Sequence, residues 1–249
     1  MSSRHRTWLN GITAPLPAAT LTTIIAAIAQ VGVLTLVWRP TVPFVASTLV
    51  VLGATVGLFA QAQRRASEQV ETPQFKAASM LTAIRGSAVV VLGGFLVAAR
   101  PSGSSAWIPA LLFGTAALLD AADGQIARRT NTVTPFGSRV DVEVDALALL
   151  VGVVVAIQYG AVPAIFMLVG VARYAFLGGI VWRRLTSKPT RELPPSQVRR
   201  VLGATMLCVV FLALAPLPER TVTRWLGFVS IIPFLLWFLR DWLVVSTRL

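Results

Sequence analysis

Eight stretches of this chain are apolar over roughly a bilayer's thickness, and polar or charged residues punctuate them. About 20 consecutive apolar residues cross the hydrocarbon core as a helix. The first run, Pro17 to Trp38, carries no charge and follows a short basic head, Arg4 and Arg6, that resembles the start of a signal peptide. Its length and the further spans behind it predict an uncleaved helix instead. The second run is Thr41 to Gln63, followed by a polar stretch of mixed charge, Arg64 to Lys76, that reads as an interfacial linker. From Ala77 the chain is apolar to Arg100, interrupted by Arg85. Trp107 to Leu119, extended by flanking polar residues, and Val140 to Gln158 come next. Tyr159-Gly160 and Pro163 break the pattern, and a further span runs on to Trp182. The last two cover Val201 to Ala215 and Val222 to Trp242. The pattern predicts an all-α integral membrane protein: a six-helix core over residues 77–249, preceded by two extra helices and a polar linker in residues 1–76.

Composition agrees. The chain is 55% hydrophobic and 13% charged, about half the charge of a soluble domain, and its mean hydropathy is +0.75. The net charge of +12 would suit nucleic acid, but the basic residues sit between apolar runs, as in juxtamembrane anchors facing anionic lipid. They concentrate at the N-terminus, at 64–85, at 128–139, at 183–200 and at the C-terminus, whereas the intervening connections hold only Arg39, Arg100, and Arg220 with Arg224. An even number of spans with both termini inside places every basic cluster on the cytoplasmic side, in the cell (inner) membrane. A single cysteine, Cys208, excludes an internal disulfide and a cysteine-built zinc site. The lone His5 lies near the terminus.

The informative stretch is LLDAADGQIARRTNTVTPFGSRVDVEVDALALL, residues 118–150. Asp120 and Asp123 are three apart, and Asp141 and Asp145 four apart. On a helix both spacings put the pair on one face. Two helices joined by a short polar loop then point four carboxylates into one space, where they repel unless cations join them. Carboxylate oxygens suit hard divalent ions such as Mg2+ or Mn2+. Acidic caps at a membrane interface would explain one or two aspartates but not two helically spaced pairs. Gly124 allows a ligand or backbone to approach closely. Gly137 does the same or serves a plain turn after Pro135. Arg128, one turn beyond Gly124, is placed to meet a phosphate, and Arg129 reads as an anchor.

The pattern Asp120-x2-Asp123-Gly124-x2-Ala127-Arg128-x8-Gly137-x3-Asp141-x3-Asp145 resembles the CDP-alcohol phosphotransferase motif at every fixed position, eight residues over 26 positions. The resemblance runs from about Ser79 to Leu249. The segment Ser79-Met80-Leu81-Thr82-Ala83-Ile84-Arg85 is similar to the Asn-x-Leu-Thr-x-x-Arg start of that family's first helix, with serine in place of asparagine. The resemblance implies a homodimer of six-helix cores with a cytoplasm-facing polar cavity. It implies transfer of a phosphatidyl or other phosphoalcohol group from a CDP-linked donor, most simply CDP-diacylglycerol, to an alcohol with release of CMP. Asp120, Asp123 and Asp141 would hold two divalent ions with Asp145 near the second; Asp145 would be the general base; Gly124, Ala127, Arg128 and Gly137 would line the CDP pocket. Glu143 departs from the small or apolar residue common at its position. It lies on the helix face opposite Asp141 and Asp145, as a structural pair partner would.

The acceptor is less legible. Arg173 is a charge within an apolar span, a position that is unfavourable unless paired or in a wet cavity. It reads either as a contact for a phosphorylated acceptor or as an ion-pair partner of a site aspartate. Arg199 and Arg200, at the start of a helix in the 183–200 basic cluster, either attract lipid heads or reach the site. Two other readings remain open. A metal-dependent membrane prenyltransferase also binds diphosphate through aspartates, but on separate, distant helices and without this Gly-Ala-Arg-Gly frame. A divalent-metal transporter would want acids in several spans, whereas here they are expected in one helix pair.

Overall fold

A computed structural model describes residues 18–68, 77–130, 135–217 and 219–246, with side chains described over 20–61, 81–120, 141–217 and 219–246. Among the described residues there are eight α-helices and no strand: α1 (Ala18–Val37), α2 (Val42–Glu68), α3 (Ala77–Gly93), α4 (Ile108–Thr130), α5 (Pro135–Gln158), α6 (Met167–Leu185), α7 (Gln197–Leu214) and α8 (Arg220–Val245). Of these, α1, α2, α6, α7 and α8 contain segments long and apolar enough to cross a membrane. Large apolar side chains such as Ile28, Leu36, Val50, Leu118, Val229 and Leu236 lie exposed along the helices. Such outward-facing surface is what a lipid-solvated bundle presents.

The helices differ from the apolar runs mainly at their ends. α2 continues to Glu68, so its last turns enter the stretch expected as linker. α4 runs on to Thr130 and α5 begins at Pro135. A helix does not stop where hydropathy falls, because its backbone bonds are satisfied internally on either side of the interface. Pro135 sits at the first position of α5, where its fixed φ and missing N–H are tolerated.

The break after α5 falls where the sequence placed it. Gly160 has φ +66°, Ala161 N–H donates to the Ala156 carbonyl and Gly160 N–H to Ile157. This paired closure uses the left-handed residue that glycine supplies without strain. The same closure ends α6, with Ser187 at φ 54° and bonds from Lys188 to Arg183 and from Ser187 to Arg184. α7 is capped by the Ser196 hydroxyl, which accepts from Arg199 N–H at 3.3 Å.

α3 lies at the centre, packed by α1, α2, α4 and α5, and α5 in turn contacts α2, α4, α6 and α7. α8 packs on α7 and α6. The two N-terminal helices are joined to α3 by polar contacts as well as by packing. Thr23 donates to the Ala83 carbonyl, Gln30 to the Ser87 hydroxyl and Ser47 to the Gly94 carbonyl. Gly93 makes the approach of α2 possible: a Cβ there would stand 2.5 Å from Val51 Cγ2. Trp38, Phe44 and Phe95 form an aromatic cluster at one end of this interface, with ring centroids 4.9 to 5.3 Å apart. At the opposite end, the loop after α6 is tied to the end of α8. Arg183 donates to the Ser246 and Pro189 carbonyls, and Arg191 N–H to the Val245 carbonyl.

Candidate active site

α4 carries Asp120 three turns from its C-terminal end, and α5 carries Asp141 and Asp145 in its second and third turns. The helices are consecutive and α3 packs on both. Asp120, Asp141 and Asp145 therefore converge, each offering a carboxylate oxygen within 4.8 Å of the others. Asp123, Gly124, Ala127 and Arg128 lie on α4 and Gly137 on α5, but their side-chain surroundings fall outside the described residues. Asp141 and Asp145 share one face of α5, as their four-residue spacing requires.

Between the carboxylates stands Arg85, brought in by α3. Its guanidinium lies 2.6 Å from Asp120 Oδ1, 2.6 Å from Asp141 Oδ1 and 3.1 Å from Asp145 Oδ1. Nη2 also donates to the Asp141 carbonyl at 2.9 Å. The arginine side chain is 1% exposed, whereas those of the three aspartates are 36, 34 and 47% exposed. The cluster thus has a buried cationic floor and an open acidic mouth. Three hard anionic oxygens converging from two helices form a donor set that fits Mg2+ or Mn2+. The three carboxylate side chains keep about a third to a half of their surface open, which leaves them acceptor capacity for such an ion.

The sequence marked Arg85 only as an interruption of an apolar run and as part of the family-like segment. Its place among the aspartates depends on how a third helix packs, which spacing along the chain does not encode. A charge eight residues into α3, with apolar residues following, was the available signal.

Arg173 pairs with Glu143, at 3.0 Å, and not with a cluster aspartate. Arg199 pairs with Asp241 on α8 at 2.8 Å, and Arg200 is exposed at the start of α7. Asp241 is 5% exposed. Acids within the spans are therefore not confined to α4 and α5, as the sequence reading expected. Asp241 is, however, held by Arg199 and by Arg240 at 3.5 Å, so it does not extend an acidic path for ions.

Arg173 and Arg199 line one cavity of about 300 Å³ between α6, α7 and α8. Apart from these arginines and Asp241 its walls are largely apolar and aromatic, with Phe176, Leu202, Trp237 and Phe238 among them. Through its pair with Glu143 the guanidinium of Arg173 reaches α5, the helix that carries Asp141 and Asp145. Glu143 is the hinge of this arrangement: two residues from Asp141 and two from Asp145, it faces away from them and toward α6.

A sequence model of the family described as CDP-alcohol phosphatidyltransferase matches residues 75–245. No curated protein and no solved structure matches the chain.

Proposed function

The chain belongs to the CDP-alcohol phosphatidyltransferase family, and from that premise we propose that it moves a phosphatidyl group from CDP-diacylglycerol to an alcohol hydroxyl, releasing CMP. The observation that carries this reading is the convergence of Asp120, Asp141 and Asp145 on a buried arginine. Few other chemistries want a dense anionic mouth at membrane depth.

In the proposed reaction the acceptor oxygen forms a bond to the donor phosphorus nearer the lipid. The bond from that phosphorus to the bridging oxygen breaks, and CMP leaves with the electron pair. Asp145, the most exposed of the three aspartates, takes the acceptor proton. Asp120, Asp123 and Asp141 would hold divalent ions, two in the full site with Asp145 beside the second, and these would screen the diphosphate and stabilise charge on departing CMP. Gly124, Ala127, Arg128 and Gly137 line the CDP pocket in this reading. Arg85 holds the carboxylates in register from beneath, so that little reorganisation is needed when the donor arrives. Arg173 and Arg199, with Arg200 at the rim, take the acceptor.

All eight helices span the membrane in this reading, including α3, α4 and α5, whose polar residues belong to the site. The active site and both termini face the cytoplasm of the cell membrane, and two copies form a dimer. The prenyltransferase and transporter readings are less well supported. The aspartates sit on adjacent helices rather than distant ones, and Asp241 and Glu143 are each neutralised by an arginine.

The test uses the purified full-length protein in lipid nanodiscs with Mg2+ and CDP-diacylglycerol labelled in the glycerol backbone. Transfer of label into a new phospholipid, matched by CMP, is the expected result. Release of diphosphate instead of CMP from any donor would point to prenyl transfer.

A further inference from the structure

Three residues that line the cavity between α6, α7 and α8 each carry one buried nitrogen without a hydrogen-bond partner: Arg173 Nε, Arg199 Nη2 and Trp237 Nε1. Unsatisfied buried donors are rare, because an unpaired donor gives up its bond to water and receives nothing in return. Three on one cavity point to a ligand with several acceptor oxygens.

Charge narrows the class. Glu143 already pairs with Arg173, and Asp241 with Arg199 and Arg240. Three arginines against two carboxylates leave one net positive charge. That balances the single negative charge of a phosphodiester and undercompensates a phosphomonoester, which carries about −1.5 to −2 at neutral pH.

The walls narrow it further. A small polyol phosphate would want polar groups around its hydroxyls, but Phe176, Leu202 and Phe238 offer none. Leu177 is part of the wall and is also exposed on the outer surface of α6, a span that faces lipid. α6 and α7 make no substantial contact with each other, so the cavity lies in a gap between two spans. A ligand with an apolar tail can therefore remain in the bilayer while its head sits between the arginines.

We propose that this cavity binds the acceptor, and that the acceptor is a membrane lipid whose head carries one phosphodiester and a free hydroxyl. The inference rests on the transferase reading above and names its substrate class. The phosphodiester oxygens take the N–H groups of Arg173, Arg199 and Trp237, the tails leave past Leu177, and the free hydroxyl points along α5 toward Asp145.

Gly203 supplies a direct probe. It lines the cavity, and a Cβ there meets nothing within 4 Å. Gly203→Leu on the helix α7 fills the space without forcing backbone apart, and leucine is the better helix former.

The experiment compares phosphatidylglycerol with sn-glycerol 3-phosphate as acceptors for the full-length protein in nanodiscs, with CDP-diacylglycerol and Mg2+. Donor binding is measured separately. The expected result is transfer to phosphatidylglycerol at a kcat/KM at least tenfold above that for glycerol 3-phosphate. Gly203→Leu should raise the lipid KM tenfold or more and leave donor Kd unchanged, and Trp237→Phe should raise it by about tenfold. Preference for glycerol 3-phosphate, or an unchanged lipid KM in a donor-binding Gly203→Leu protein, overturns the inference. Donor binding without transfer to either acceptor also overturns it. Failure of the wild type to bind the CDP donor at all would instead remove the transferase reading beneath it. Should Gly203→Leu lose donor binding, Gly203→Ala with Trp237→Phe decides by the same criterion.

Discussion

Arg85 meets three carboxylates with one guanidinium, which offsets one of their three charges, and has 1% of its side chain exposed. Removing one partner of a buried charged cluster costs on the order of 3 kcal/mol, since the others lose their compensation in a poorly screened setting. Arg85→Met should therefore lower the thermal stability of metal-free protein, and added Mg2+ should restore more of it than in wild type. Differential scanning fluorimetry with and without Mg2+ measures this. A variant whose metal-free stability equals wild type would show that Arg85 is dispensable to the cluster. Spacing along the chain was enough to put Asp120, Asp141 and Asp145 on the right faces, because helical period is local. The partners of Arg85, Arg173 and Arg199 were not legible, because each ion pair crosses between helices distant in sequence. Glu143 shows the boundary between the two cases. Its face followed from the helical period, but its partner Arg173 emerged only with the packing of α6 on α5.

At the scale of elements, α1 and α2 are the parts whose purpose is least evident from sequence. They pack on α3, the helix that carries Arg85, and side-chain hydrogen bonds from Thr23, Gln30 and Ser47 reach α3 and Gly94 just beyond it. Inside a bilayer the exposed face of a truncated bundle is solvated by lipid, so the loss is packing and hydrogen bonding rather than hydrophobic burial. Interhelical hydrogen bonds there are worth roughly 0.6 to 2 kcal/mol each. A protein beginning near Arg65 should thus unfold at lower temperature yet retain CMP-releasing turnover in nanodiscs. Thermal melts beside CMP assays test both halves. A folded, donor-binding truncation with no turnover would mean that the hairpin helps to build the site. The apolar runs stop several residues short of the helix ends in α2, α4 and α5 for a common reason. Hydropathy reports where lipid ends, and these helices continue beyond it.

For the whole molecule, the alternation of basic and weakly charged connections predicts that the loop after α6 and both termini are cytoplasmic. The ties from Arg183 and Arg191 to Ser246 and Val245 join that loop to the end of α8, so the two must share one side. Thr190→Cys in a Cys208→Ser background should resist a membrane-impermeant thiol reagent in sealed cells and react after permeabilisation. Strong labelling of sealed cells would reverse the orientation and with it the cytoplasmic placement of the site. Everything proposed for this fold depends on the aspartates joining α4 to α5 as the seat of CDP chemistry. The most direct measurement is Mg2+-dependent CMP release from CDP-diacylglycerol by wild type and by Asp120→Asn, Asp141→Asn and Asp145→Asn, each folded by thermal melt. The account predicts CMP from wild type that stops on chelation and returns with Mg2+, and a loss of at least a hundredfold in each variant. Near wild-type CMP release from any of the three, or release indifferent to chelation, would contradict it.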